Sequence, residues 1–370
     1  MREIPLIDLR RQNSALEKEI DMAVHNIIES SKFILGPEIE KFEDRFGRFC
    51  NAKHCISLSN GTDALELALK SFGIKEGDEV ITVPHTFIAN AEVIINVGAK
   101  PVFCDIDEET FTLDANQLRK SMTKNTKAIM PVDLYGHPCD LDPIMELAEE
   151  KNLKVVEDSC QAHGAEYKGK RIGGKAHATA FSFYPGKNLG AFGDAGALTT
   201  NDEEIVPKIR AIRNHGRLQN EKYNHEFIGG NYRMDELQAA ILNIKLNHLE
   251  DWVNARRSIA AKYNELISSH VQLPAEASFA KHAYHQYVIM ADNREKLRSY
   301  LKSMGISTGI HYPLPLHLQP ALKFLGYKKG DFKISEKCAD SVLSLPIYPE
   351  LQNEEIEFVS NAINKFFDAA

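Results

Sequence analysis

Cys55-Ile56-Ser57-Leu58-Ser59-Asn60-Gly61-Thr62-Asp63-Ala64-Leu65 decides how the chain is read. An apolar run of strand type stops at a Ser-Asn-Gly turn, and apolar residues then recur at helical spacing over 64–72. The same grammar repeats downstream. Val80-Ile81-Thr82-Val83, Pro101-Val102-Phe103-Cys104, Ala128-Ile129-Met130-Pro131-Val132 and Leu153-Lys154-Val155-Val156-Glu157 read as strands, with helical patterns over 89–97 and 141–151. Such alternation predicts βαβ crossovers and an α/β fold whose mainly parallel central sheet is covered on both faces. Phe181-Ser182-Phe183 and Ala197-Leu198-Thr199-Thr200 add two strands. Their connection is too short for a crossover helix, so they are expected to pair antiparallel.

Two amphipathic helices precede this region, one over 14–30 with Leu16, Ile20 and Ile27 on a face, the other after Gly36-Pro37 with Ile39, Phe42 and Phe46. Beyond it, a single long helix is expected over 234–268, followed by strands over 284–290 and 308–311 and helices over 294–304, 318–325, 334–343 and 354–367. The reading is a large α/β domain over 1–245, including the N-terminal helices, and a smaller C-terminal α+β domain over 246–370.

The 370 residues are 43% hydrophobic and 26% charged, ordinary for a globular protein, and the net charge of -8 argues against a nucleic-acid or anionic-membrane binder. The first residues lack an apolar signal core and no stretch reaches the length of a membrane span, so a cytoplasmic protein is expected. Six cysteines without a Cys-x-x-Cys pair point to neither zinc nor a disulfide framework.

Four groups carry chemistry. Tyr184-Pro185-Gly186-Lys187-Asn188-Leu189-Gly190 halts a strand and presents Lys187 in a glycine-rich loop. Ser59-Asn60-Gly61-Thr62 opens a helix after a strand, the place for an anion such as a phosphate, although ordinary N-capping uses the same residues. Phe87 in Pro84-His85-Thr86-Phe87 sits at a strand end, where a flat ligand could stack. Glu157 and Asp158 end another strand and point to opposite sides, so one of them faces a ligand. Asp158 with His163 lacks a third ligand at a recognisable spacing, and no metal site is assigned. An amine, a carboxylate, a stacking ring and an anion site together match the needs of pyridoxal 5′-phosphate.

Phe33-Ile34-Leu35-Gly36-Pro37, Ser59-Asn60-Gly61-Thr62-Asp63-Ala64-Leu65, Glu157-Asp158-Ser159-Cys160-Gln161-Ala162-His163-Gly164, Phe181-Ser182-Phe183 through Lys187, Asn214-His215-Gly216, Asn231-Tyr232-Arg233-Met234 and His311-Tyr312-Pro313 resemble motifs of the DegT/DnrJ/EryC1/StrS sugar aminotransferases. The resemblance runs nearly end to end. It implies the aspartate-aminotransferase-like fold, type I of the pyridoxal-phosphate enzymes, and a homodimer with its active site at the subunit interface. It assigns Lys187 the Schiff base, Asp158 the pyridinium nitrogen, Gln161 the ring hydroxyl and Phe87 the stacking position. Gly61, Thr62 and Ser182 would hold the phosphate, with Asn231 entering from the other subunit. Arg233 and His215 would contact a substrate diphosphate, and Tyr312 and His317 the substrate.

The implied reaction moves an amino group from L-glutamate to a nucleotide-linked keto-sugar. Pro313 after His311-Tyr312, followed by Pro315-Leu316-His317-Leu318-Gln319-Pro320, is similar to members acting at C3 of the sugar. A dTDP-3-keto-6-deoxyhexose is therefore expected, with UDP-linked 3-keto sugars next and 4-keto-6-deoxy sugars third. A pyridoxal-phosphate-binding regulator is the alternative of a different class. Members that dehydrate their substrate carry histidine in place of the lysine, and this chain keeps Lys187.

Overall fold

A computed structural model describes residues 3–218 and 223–368. The chain opens with α1 (Leu9–Ser30), whose first turn is capped by the Asp8 carboxylate accepting from the amides of Arg10 and Arg11, and α2 (Pro37–Phe49), which starts on a proline. The expected alternation follows as β1 (His54–Leu58), α3 (Gly61–Ser71), β2 (Glu79–Thr82), α4 (Ala89–Asn96), β3 (Lys100–Phe103), the short α5 (Leu118–Ser121), β4 (Thr126–Ile129), α6 (Leu141–Lys151) and β5 (Lys154–Asp158). A small ribbon of β6 (Glu166–Tyr167) and β7 (Lys170–Arg171) precedes β8 (Ala178–Ser182) and β9 (Gly196–Thr200), and α7 (Ile205–Ile212) returns along the sheet.

The seven strands of the main sheet lie in the order β1-β9-β8-β5-β4-β2-β3. All run parallel except β9, which is antiparallel to both β8 and β1, as the short β8–β9 connection requires. Alternation along the strands feeds two cores. Ala180 and Leu198 face the helices on one side with Leu65, Leu69 and Val156. Phe181 and Ala197 face the other, where Phe42, Phe46 and Phe183 pack. Phe46 is fully buried at the centre of that second cluster, with ring centroids 5.0 Å from Phe181 and 5.2 Å from Phe183, both edge-on.

Three expectations for the C-terminal part are corrected. The single helix over 234–268 is two helices, α8 (Glu236–Lys245) and α9 (Leu249–Leu266), and the break carries Lys245 in the last turn of one and Glu250 and Asp251 in the first turn of the next. Each charge suits its helix end. Residues 308–311 contribute only an isolated bridge, Gly309 to Ser344. The partner of β11 (Tyr287–Met290) is β12 (Val342–Leu345), a fully buried apolar run that directly follows α11 (Lys333–Ser341) and therefore reads as its continuation in sequence. Residues 316–318 and 320–325 are 3₁₀ turns, because Pro320 interrupts the α-helical ladder. With β10 (Ala280–Lys281) beside the β6–β7 ribbon, α10 (Arg294–Ser303) and α12 (Asn353–Asp368) complete the chain.

A separate apolar cluster joins Tyr263, Tyr287, Leu301, Leu343 and Ile363, and Ile4 from the N-terminus belongs to it. The Ile4 amide donates to the Gly305 carbonyl at 2.9 Å and the Ile347 amide to that of Leu6 at 3.3 Å, so residues 4–6 are laid across the C-terminal part as a strap.

Phe46→Ala should cost about 3–5 kcal/mol of stability in denaturant unfolding. The same change at the exposed Phe324 should stay within about 0.5 kcal/mol.

Candidate active site

Three strand ends meet at one edge of the sheet. Leu58 at the end of β1 and Ser182 at the end of β8 both pair with Gly196, while Asp158 at the end of β5 pairs with Ala180 of β8. Ligands of open α/β sheets sit beyond such carboxyl ends. The convergence depends on glycine: a Cβ on Gly196 would lie 2.3 Å from the carbonyl of Asn60, and one on Gly61 would lie 2.7 Å from both Cys160 Sγ and Ser182 Cβ. Without side chains at these two positions, the start of α3 packs directly onto the ends of β8 and β9.

Capping at that start is partial. Asn60 Oδ1 accepts the amide of Asp63 at 2.8 Å and the Asn60 carbonyl takes that of Ala64 at 3.2 Å. Asp63 in turn accepts from Asn60 Nδ2 at 2.8 Å and from the Ser59 hydroxyl. The amides of Gly61 and Thr62, first in the helix, have no intrahelical acceptor. Capping and an anion cradle, competing readings of the sequence, thus coexist.

Asp158 is 7% exposed and its carboxylate is fixed on both sides: Oδ1 accepts the Cys160 amide at 3.0 Å, and Oδ2 accepts Asn90 Nδ2 at 2.8 Å. The Thr86 hydroxyl donates to Asn90 Oδ1 at 3.0 Å and so sets which way that amide faces. Glu157 takes the opposite side, fully buried, accepting from the Thr179 hydroxyl at 2.8 Å, and burial raises its pKa well above the carboxylate range. Asn90 escaped the sequence reading. Nothing local singles it out, since α4 also carries Glu92 and a second amide, Asn96.

Gln161 accepts the Tyr135 amide at 2.8 Å and donates to the Tyr312 hydroxyl at 3.3 Å. Tyr135, also unforeseen, is a hub with left-handed backbone (φ 60°). Its hydroxyl donates to the His311 carbonyl and therefore accepts from His85 Nε2, 2.9 Å away, which places the His85 proton on Nε2. Burial holds His85 down at about 4, neutral at ordinary pH. Phe87 is 52% exposed, its ring 5.9 Å from that of Tyr312.

The loop carrying Lys187 is anchored around it. The Lys187 amide donates to the Tyr184 carbonyl at 2.8 Å, Asn188 Nδ2 to the Ala283 carbonyl at 3.0 Å, and Lys245 of α8 to the Gly190 carbonyl at 2.9 Å. The Lys187 amine itself has no hydrogen bond or ion pair among the described residues. Desolvation lowers its pKa, against the opposing pull of Cys160 and Asp158. On one side of the amine lies a chamber of about 270 Å³ whose wall includes Gln161, His285, His311 and Tyr312.

The remaining sequence candidates lie apart from this cluster. Asn214 and Asn231 form a β-bridge, with Asn231 and His215 exposed and Arg233 Nη1 donating to Asn214 Oδ1 at 2.8 Å. The strip touches the cradle through the Ser59 amide, which donates to the Tyr232 carbonyl at 2.9 Å. His317 is 2% exposed, its Nε2 lies 3.0 Å from Glu336 and its ring packs on Phe332.

Between the ordinary histidine pKa of 6.5 and about 4, the unfolded chain binds a proton at this position and the folded chain does not, so His85 makes stability fall as pH is lowered through that window. His85→Gln, which keeps a donor for Tyr135, should flatten the slope of unfolding free energy against pH there by up to about 1.4 kcal/mol per pH unit. An unchanged slope would contradict the neutral assignment.

Comparison with known proteins adds three findings. The profile of the DegT/DnrJ/EryC1/StrS aminotransferase family matches residues 14–364. Two relatives are each 45% identical: a pleiotropic regulatory protein of Geobacillus stearothermophilus, over 98% of both chains, and a dTDP-3-amino-3,6-dideoxy-alpha-D-galactopyranose transaminase of Aneurinibacillus thermoaerophilus, over 98% of this chain and 99% of the other. The crystal structure of DesV from S. venezuelae in complex with a ketimine intermediate superposes with a TM-score of 0.96 at 41% identity, covering 99% of both chains.

Proposed function

Because the chain belongs to the DegT/DnrJ/EryC1/StrS aminotransferase family and is a pyridoxal-phosphate-dependent sugar aminotransferase, we propose that it converts a dTDP-3-keto-6-deoxyhexose to its 3-amino sugar with L-glutamate as donor. The observation that carries the chemistry is the unpartnered, desolvated Lys187 amine in one cluster with an oriented Asp158 carboxylate. The C3 assignment rests on the Pro313 motif and on the activity named for the A. thermoaerophilus relative.

The residues present fit the cofactor. The free amides of Gly61 and Thr62, at a helix start where the Gly61 backbone closes on Ser182, suit its phosphate. Asp158, held by Asn90 and the Cys160 amide, would face its ring nitrogen, and a carboxylate fixed by two donors stays available as an acceptor. Gln161, its amide oriented by Tyr135, would donate to the ring hydroxyl, and Phe87 would cover the ring. When bound, pyridoxal phosphate supplies an aldehyde that takes amines and a ring that withdraws electron density from the reacting carbon.

Lys187 supplies the base. Desolvation favours its neutral form, so Nζ can accept the proton from the donor's α-carbon and return it elsewhere. Tyr312, joined to Gln161 and packed near Phe87, would border the sugar. Arg233 and His215 would meet the diphosphate.

The working enzyme is proposed to be a homodimer, with Asn231 of the partner subunit completing the phosphate site. Phe33, Ile34, Tyr184 and Ile228 are large apolar side chains left exposed on the single chain, which supports such an interface. Division into domains over 1–245 and 246–370 is proposed at the α8–α9 break, with the strap of residues 4–6 crossing back. Among the described residues no helix is long and apolar enough to cross a membrane, and a cytoplasmic site of action is proposed.

Lys187→Ala should lower amine transfer from glutamate to the keto-sugar by at least about a thousandfold, with product followed by mass. Persistent turnover would overturn the assignment. The G. stearothermophilus relative bears a regulatory name, and steady turnover by the wild-type protein separates enzyme from regulator.

A further inference from the structure

The chamber beside Lys187 has a distinctive wall. Among the described residues, Lys187 is the one Lys, Arg, Asp or Glu on it; the other polar lining groups are neutral, and the rest of the lining is apolar. His311 Nδ1 lies 2.9 Å from the Ser344 hydroxyl, which donates at 2.7 Å to Gln286 Oε1. With the single hydroxyl proton committed to Gln286, His311 Nδ1 carries its own proton and Nε2 is left as an acceptor. Burial keeps His311 down at about 4 and His285 well below its ordinary value, so neither imidazole brings charge. The same wall carries Leu6 of the strap, the adjacent Ile7, Leu345 and Ile347.

This chemistry selects among the molecules that must approach Lys187. A second carboxylate of glutamate would enter a neutral wall with no cation beyond the lysine, and an ion buried without a counter-charge is heavily penalised. A sugar ring suits the wall better. Its hydroxyls can exchange bonds with His311, Gln286 and Tyr312, and at about 270 Å³ the space is small beside the roughly 300–1,000 Å³ of drug-sized sites. The apolar strip has nothing to offer a hydroxyl and would bury an alkyl group well.

We infer that this chamber takes the hexose ring of the substrate and that Leu6 of the strap and the adjacent Ile7, with Leu345 and Ile347, read the 6-deoxy methyl group. The inference rests on the proposed keto-sugar reaction and adds to it the residues that select the sugar at C6. The strap is held in place by the main-chain bonds of Ile4 and Leu6 and by the buried Ile4 side chain, which fixes where Leu6 stands.

The test compares kcat/KM for two dTDP-linked 3-keto hexoses that differ only in methyl or hydroxymethyl at C6. The wild-type enzyme should favour the methyl sugar by about 10–100-fold, the range an apolar pocket achieves against an added hydroxyl. Leu6→Asn and the milder Leu6→Thr should each narrow the ratio to about threefold or less. A wild-type ratio near one overturns the inference and leaves the aminotransferase reading intact. So does an unchanged ratio in variants whose thermal unfolding matches the wild type. Amination of neither sugar overturns the substrate reading and this inference together.

Discussion

The site depends on a close approach of two backbones. Gly196 opens the antiparallel strand β9 between the ends of β1 and β8, and any side chain there would overlap the Asn60–Gly61 peptide. That contact puts the amino end of α3 beside Ser182 and Cys160 and brings its free amides to the edge that also carries Asp158. A one-residue slip of β9 would turn Leu198 and Ala197 toward the wrong cores and move the helix start off the strand ends together. Core packing and site geometry are set by the same register.

Charge is used sparingly around that edge. Among the described residues Lys187 has no ion-pair partner, Asp158 is oriented by uncharged donors, and His85, His311 and His285 are held neutral by burial. The hydrogen bonds that run from His85 through Tyr135 to the His311 carbonyl, and from Tyr135 to Gln161, tie the loop after β4 to the segment bearing Tyr312. A lysine with lowered pKa is useful as a base only if no fixed carboxylate pairs with it, and this arrangement keeps Asp158 occupied with Asn90 and the Cys160 amide.

Legibility from sequence followed the range of the interactions. The buried parallel strands announced themselves as apolar runs such as Val80-Ile81-Thr82-Val83, because burial on both faces leaves no alternation to misread. Lys187, Asp158 and the Ser59–Thr62 turn were visible because each sits at a local break in such a run. Asn90 and Tyr135 were not: their importance lies in bonds to Asp158 and Gln161, far along the chain, and nothing local marks them. The helix expected over 334–343 takes in Val342 and Leu343 because α11 runs straight into them, and only pairing with β11 makes 342–345 a strand. The burial of His317 against Phe332 and Glu336 is likewise set by residues further along the chain than its own proline-flanked stretch.

Lys187, rather than another lysine, is proposed as the amine that holds the cofactor. Borohydride reduction of the protein loaded with pyridoxal phosphate, followed by peptide mapping, separates the candidates. A single pyridoxyl label on the peptide containing Lys187 is expected. A label on Lys245, the buried lysine that donates to the Gly190 carbonyl of the same loop, or on no peptide at all, would contradict that assignment.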